Sequence, residues 1–208
     1  MSPPAPAPAT VTELAAVIQF GATSVSLLIC ERGEKGVCRT LDYLEKPLPL
    51  ARDIFRNGAV SRGIVEQSAS ILREFQRSLD EYAVPPGNVR CFTTNVLAEA
   101  TNHEVFLNRM QVTGGRVVEL IDDGEMTRLI YQITLRLLKN NPEIAQKNTL
   151  VSHIGPGNTR ALYFRKGRIA AYSSYRLGIF RASEAVAGED VAGARQLAHI
   201  EEQIRGVV

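Results

Sequence analysis

Two glycine-containing turns, each at the end of an apolar β-rich run, are the segments of this chain best suited to hold an anion. Turns of this kind direct several backbone N–H groups into one concavity, which is how many proteins bind phosphate. We therefore predict two phosphate-binding turns, while glycine and asparagine are also the residues that a simple hairpin turn requires. The predicted phosphate-binding residues are Gly21, Ala22, Thr23 and Ser24 in the first turn and Gly155, Gly157, Asn158, Thr159 and Arg160 in the second.

The composition indicates a globular domain and argues against a membrane-spanning or nucleic-acid-binding one. The chain has 208 residues, of which 45% are hydrophobic and 22% charged, and this is enough to bury a core. Its net charge of +2 is small, and its basic and acidic residues are interspersed, so a nucleic-acid partner is not expected. No apolar run approaches the roughly 20 residues that a membrane helix needs.

The cysteines and the N-terminal residues predict a cytoplasmic location. Cys30, Cys38 and Cys91 have no C-x-x-C spacing, and their odd number predicts reduced thiols that pack as small hydrophobic residues. Residues 1–12 are rich in proline and alanine and lack the basic and apolar regions of a signal peptide. We expect this segment to be an extended, disordered tail.

Hydrophobic periodicity predicts an α/β chain that opens with a three-stranded meander. Residues 13–142 are predicted as β-β-β-α-β-α-β-α, with a loop over 45–60 before the first helix. A second meander begins after Pro142 and precedes a C-terminal helix from about Val191. We therefore predict a first lobe over 13–142 and the start of a second, truncated lobe over 143–208. The helix with the strongest pattern has one apolar face formed by Met126, Leu129, Ile130, Ile133, Leu137 and Leu138.

Two motifs in the first lobe carry a family resemblance. Residues 94–102 read TNVLAEATN and residues 124–131 read GEMTRLIY. They resemble A-T-S-A-x-R-E-A-x-N and G-x-E-E-A-R-L-I of the exopolyphosphatase and guanosine pentaphosphate phosphatase (Ppx/GppA) family. The two turns are similar to that family's D-x-G-S-N-S and D-I-G-G-G-S-T-E. The resemblance implies a ribonuclease H-like lobe of the actin-like ATPase superfamily and the hydrolysis of phosphoanhydrides.

The resemblance also implies roles for individual residues. Glu125 falls on the glutamate that activates the attacking water, so it is the candidate catalytic residue. Thr94 and Asn95 are further candidate phosphate-binding residues, in addition to those of the two turns. The implied partner is polyphosphate or a phosphorylated small molecule, such as a guanosine polyphosphate.

The sequence departs from the family pattern where charge matters most. Gln19 and His153 replace the acidic residues that precede the two turns, and Met126 and Arg160 replace two glutamates. Mg²⁺, the metal of the family, prefers anionic oxygen ligands, so we predict no metal ligand and no cofactor in this chain. The more positive pocket favours direct binding of a polyanion.

The sequence leaves two functions open. One is a phosphoanhydride hydrolase domain with weak or lost metal-dependent activity, and the other is a non-catalytic module that binds phosphate or a polyanion. Glu125 is also explained as the N3 residue of a helix, paired with Asp122 in a variant of the capping box. His153 is also explained as a strand-end residue bonded to backbone. Uncovered sheet edges predict a homo-oligomer.

Overall fold

The computed structural model describes residues 13–33, 38–186, 198, 201–202 and 204–206. The predicted tail over residues 1–12 lies outside the described residues. So does most of the C-terminal helix predicted from Val191, of which the few described residues are helical.

A five-stranded sheet forms the first part of the chain. Its strands are β1 (Glu13–Phe20), β2 (Ser24–Arg32), β3 (Cys38–Pro47), β4 (Val89–Thr93) and β5 (Val118–Leu120). They lie in the order β3-β2-β1-β4-β5, in which β1 to β3 are antiparallel and β4 and β5 are parallel to β1. This arrangement confirms the predicted α/β class and the opening meander.

Helices cover one face of this sheet. Along most of β1 and β2, every second residue points to that side and is buried there. The helices are α1 (Leu50–Asn57), α2 (Arg62–Glu81) and α3 (His103–Gly114). Ile18 and Phe20 of β1 are fully buried against Phe75 of α2 and Phe106 of α3 in one core. The rings of Phe20 and Phe106 meet edge to face, with centroids 5.6 Å apart.

The prediction of a loop over residues 45–60 is wrong, because this stretch contains α1. Pro47 and Pro49 suggested a loop, but Pro49 is the N-cap residue of the helix, where proline breaks no intrahelical hydrogen bond. The helix is held by buried Leu50, Ala51 and Ile54, and it ends at Gly58 with φ of 69°. The order in the first part of the chain is therefore β-β-β-α-α-β-α-β-α.

A three-stranded antiparallel sheet forms the second part of the chain, in agreement with the predicted second meander. It consists of β6 (Asn148–Ile154), β7 (Thr159–Arg165) and β8 (Arg168–Tyr175), in the order β6-β7-β8. The remaining helices are α4 (Asp123–Lys139), α5 (Pro142–Ala145) and α6 (Ile179–Val186), of which α6 is absent from the prediction.

Helix α4 packs on one face of the second sheet. Ile130 and Leu138 form a small core with Leu162 and Phe164 of β7. The predicted apolar face is too broad, because Ile133 and Leu137 are exposed. Only a narrow stripe of α4 is therefore covered by the described residues.

The three thiols are free, as predicted, but they are not all packed in the core. Cys30 and Cys91 are buried, and burial raises the pKa of the Cys91 thiol to about 12. Cys38 is exposed at the start of the edge strand β3, which corrects the expectation for that residue. Among the described helices, none is long and apolar enough to cross a membrane.

Candidate functional site

The first turn, Gly21 to Ser24, closes the hairpin between β1 and β2. The N–H of Gly21 donates to the carbonyl of Ser24 at 2.9 Å, so it is used within the turn. The carbonyls of Ala22 and Thr23 accept from the N–H groups of Ala51 and Leu48 at 2.8 and 2.9 Å. This turn therefore caps the start of α1. The hydroxyl of Ser24 donates to Glu45 on β3 at 2.5 Å.

The second turn, Gly155 to Asn158, is built in the same way. The N–H of Gly155 donates to the carbonyl of Asn158 at 2.9 Å. The carbonyls of Gly155 and Pro156 each accept at 3.0 Å from an N–H at the start of α6. The hydroxyl of Thr159 donates to the carbonyl of Leu177 at 2.6 Å. The segment that enters α6 therefore takes up several of the polar groups of this turn.

Helix α1 contacts both turns. Ala51 bonds to the first turn, and a Cβ placed on Gly157 would lie 3.1 Å from the ring of Phe55. Ala51 and Phe55 are four residues apart and so lie on one side of the helix. The two predicted turns are thus neighbours of the same helical element, which the sequence prediction had assigned to a loop.

Four donors converge on the carboxylate of Asp123, the first residue of α4. Its Oδ1 accepts from Nδ2 of Asn158 at 3.0 Å, from Nδ2 of Asn95 at 3.2 Å and from the guanidinium of Arg160. Its Oδ2 accepts from the hydroxyl of Ser174 on β8 at 3.2 Å. Three of the predicted phosphate-binding residues, Asn95, Asn158 and Arg160, therefore meet at one negatively charged group of the chain itself.

Asn95 reaches this cluster because of where β4 ends. Thr94 follows β4, and its N–H donates to the carbonyl of Phe20 at 3.4 Å. Asn95 then begins a short 3₁₀ turn over Asn95–Glu99. Asn158 lies in the turn between β6 and β7, and Arg160 lies on β7. The cluster at Asp123 therefore contains residues from the first and second parts of the chain.

The electrostatics of the cluster favour an ionised Asp123 and a neutral His153. Partial burial raises the pKa of Asp123, but hydrogen bonds from Asn158, Arg160 and Ser174 and the charge of Arg160 outweigh it and lower the pKa overall. Burial and the adjacent Arg160 lower the pKa of His153. The side chain of Arg160 is only 3% exposed and that of Asp123 is 40% exposed.

Two buried nitrogens near this cluster lack partners among the described residues. They are Nε of Arg160 and Nδ1 of His153. The bond from His153 to backbone that the sequence suggested is therefore not made by Nδ1. His153 lies opposite Arg160 in the register of β6 and β7.

Glu125 lies at the N3 position of α4, and its carboxylate is directed to Arg128. The two oxygens of Glu125 each accept from Arg128 at 2.6 Å, and this ion pair lowers the pKa of the carboxyl. The N–H of Glu125 donates to Oδ1 of Asp122 at 2.7 Å. Half of the capping box is thus present, while the reciprocal bond is replaced by the contact with Arg128.

The residues that precede the two turns do not fit Mg²⁺. Gln19 and His153 offer an amide and an imidazole where carboxylates would be needed. The buried cation of Arg160 lies next to His153 in the sheet. Within the part of the chain that the structure describes, no group of three or more His, Cys, Asp or Glu residues could hold a metal ion.

Sequence reasoning missed three residues that shape this region. Asp123 lies two residues before Glu125, and the sequence prediction names only Glu125 in this segment. Ser174 has no local signal, because its contact with Asp123 spans 51 residues. Gly178 packs on the second turn, where an added Cβ would lie 2.5 Å from backbone atoms of Pro156 and Gly157.

Comparison with known proteins gives one family. A profile of the Ppx/GppA phosphatase family matches residues 32–208. The Ppx/GppA family member of Aquifex aeolicus has 22% identity and a TM-score of 0.67, over 90% of this chain and 59% of that chain. An exopolyphosphatase from Cytophaga hutchinsonii has 20% identity and a TM-score of 0.75, over 94% of this chain and 60% of that chain.

These solved relatives share the fold of this chain, which spans about three fifths of their length. The family profile, in turn, covers most of the sequence and includes the segments that carry Asp123, Glu125 and Arg160. The chain is a phosphatase-like domain and belongs to the Ppx/GppA phosphatase family.

Proposed function

We propose that this chain binds a phosphate-bearing anion, such as polyphosphate or a guanosine polyphosphate, at Arg160, and that it has little or no metal-dependent hydrolytic activity. The observation that carries the proposal is the convergence of Arg160, Asn158 and Asn95 on one anionic group. Arginine and amide donors around a carboxylate are suited to a phosphoryl oxygen as well.

Loss of hydrolysis is supported by two features: the missing acids for Mg²⁺ and the lowered pKa of the candidate base, Glu125. Phosphoryl transfer depends mainly on positioning and on electrostatic stabilisation of charge, commonly by metal ions. Gln19 and His153 do not supply the acids for Mg²⁺. A carboxylate whose pKa is lowered by Arg128 is a poorer general base near pH 7 than one with a raised pKa.

A phosphoanhydride hydrolase with Glu125 as general base is the second candidate. It is favoured by the position of Glu125 at the start of α4, two residues after Asp123, with a side chain that is 42% exposed. The contact with Arg128 is a surface ion pair, and such pairs are weak enough to exchange with a bound ligand.

One titration separates the two candidates. Tripolyphosphate is titrated into wild-type protein, Arg160→Gln and the control Arg168→Gln, which changes an exposed arginine of β8. We expect binding in EDTA, without any divalent metal, that is at least tenfold weaker in Arg160→Gln alone. Equal affinity in all three proteins would reject Arg160 as the binding group. Release of phosphate that requires Mg²⁺ and is abolished by Glu125→Gln would establish the hydrolase instead.

The other expectations from the sequence stay predictions. Self-association and a cytoplasmic location are not decided by the fold or by the family. Light scattering on the purified chain measures the first of them directly.

A further inference from the structure

The carboxylate of Asp123 has the charge and the hydrogen-bonding capacity of an oxyanion. Both of its oxygens accept hydrogen bonds. The donors are Asn95 after β4, Asn158 in the turn between β6 and β7, Arg160 on β7 and Ser174 on β8. The donors that the proposed function assigns to a phosphate group are therefore already bonded to an anion within the chain.

We propose that Asp123 is an internal competitor that occupies the oxyanion position of Arg160, so that a phosphate-bearing ligand binds only when the Asp123 carboxylate moves away. The inference rests on the proposed function and concerns the regulation of the same site. The contact between Asp123 and Arg160 keeps the site filled in the absence of ligand.

The difference in burial determines which partner moves. Arg160 is 2% exposed, whereas the side chain of Asp123 is 40% exposed. Asp123 is also the first residue of α4, where a change of side-chain rotamer leaves the helix hydrogen bonds intact. The carboxylate can therefore turn to solvent while the guanidinium stays in place.

The same burial explains why a ligand would be drawn to the vacated position. A buried guanidinium without an anion is costly, because its lost hydration is not replaced. Nε of Arg160 has no partner among the described residues even with Asp123 in place. A phosphoryl group offers more acceptor oxygens than a carboxylate, and its geometry allows two bonds to one guanidinium.

Calorimetric titration of tripolyphosphate in EDTA at pH 7.5 tests the inference. The proteins are wild type, Asp123→Asn, Asp123→Ala, the double variant Asp123→Asn with Arg160→Gln, and the control Glu143→Gln. The control removes one negative charge from an exposed position on α5. We expect binding at least tenfold tighter in both Asp123 variants than in wild type, no change in the control, and loss of the gain in the double variant.

The possible outcomes distinguish this inference from the proposed function. Measurable binding that is equal in wild type and in the folded Asp123 variants would overturn the inference and leave the proposed function standing. A tighter affinity that persists in the double variant would also overturn it, because the gain would not pass through Arg160. Absence of binding in every protein, with folding verified by circular dichroism, would overturn the proposed function and the inference with it.

Discussion

Asp123 at the start of α4 is ion-paired with the buried Arg160 on β7, the central strand of the second sheet. Replacement of Asp123 by Asn should lower the free energy of unfolding by about 1–3 kcal/mol, because a buried guanidinium loses a charged partner. Urea denaturation at pH 7 measures the loss.

The pH dependence of that loss checks its cause. The pKa of Asp123 is lowered on folding, so its contribution is present above the ordinary value of 3.8 and disappears as the pH falls through the lower folded value. Wild type and Asp123→Asn should therefore converge in stability in strong acid. A difference that is constant down to the lowest pH would show that the ion pair is not responsible.

His153 should make the domain less stable in mild acid. Burial and the charge of Arg160 lower the pKa of His153. Below the ordinary value of 6.5 the imidazole is therefore protonated in the unfolded chain but still neutral in the folded one. The free energy of unfolding should thus fall as the pH decreases from 6.5 to the folded pKa. His153→Gln should remove this slope, and His103→Gln, on α3, should retain it. Chemical denaturation at pH 7, 6 and 5 gives the comparison.

Gly178 should tolerate no side chain. A Cβ at this position would lie 2.5 Å from backbone atoms of Gly157 and Pro156, and backbone cannot move aside as a flexible side chain can. We expect Gly178→Ala to cost about 1–3 kcal/mol of stability and to displace the second turn. Gly63→Ala on α2 is the matched control, because nothing lies within 4 Å of its Cβ. The control should gain about 0.5–1 kcal/mol from helix propensity. Equal thermal melting of both variants would contradict the close contact.

The sequence sufficed for most of the fold because the patterns are local. Alternation in β1 and β2, the apolar stripe of α2 and the Asp122 cap of α4 each depend on residues close together in the chain. The sequence does not indicate α1, because Pro47 and Pro49 are typical of loops and a proline that starts a helix looks the same in sequence. Its eight residues are too few for a persuasive helical period.

The candidate site was predictable only in part, because its composition depends on contacts between distant segments. Asn95 is predicted from the family resemblance and Asn158 and Arg160 from the second turn, and the structure brings the three together. Asp123 is not predicted, since nothing in the sequence shows that a helix N-terminus faces a strand 37 residues later. Ser24 and Thr159 are predicted phosphate-binding residues, and the hydroxyls of both donate to groups of the chain itself.

Mg²⁺ should not stabilise the wild-type domain, whereas it should stabilise a variant with the acids restored. Gln19→Asp with His153→Asp places two carboxylates at the ends of β1 and β6, where the family pattern has acidic residues. A ligand that binds only the folded state stabilises it by RT ln(1 + [L]/Kd) and so raises the melting temperature. We expect millimolar Mg²⁺ to leave the wild-type melting temperature unchanged and to raise that of the double variant, and Ca²⁺ serves as a comparison ion. Arg160 repels the cation, so the rise should be larger when Arg160→Glu is added. A clear rise in wild type would show that Gln19 and His153 still hold the metal, and that the charge argument is wrong.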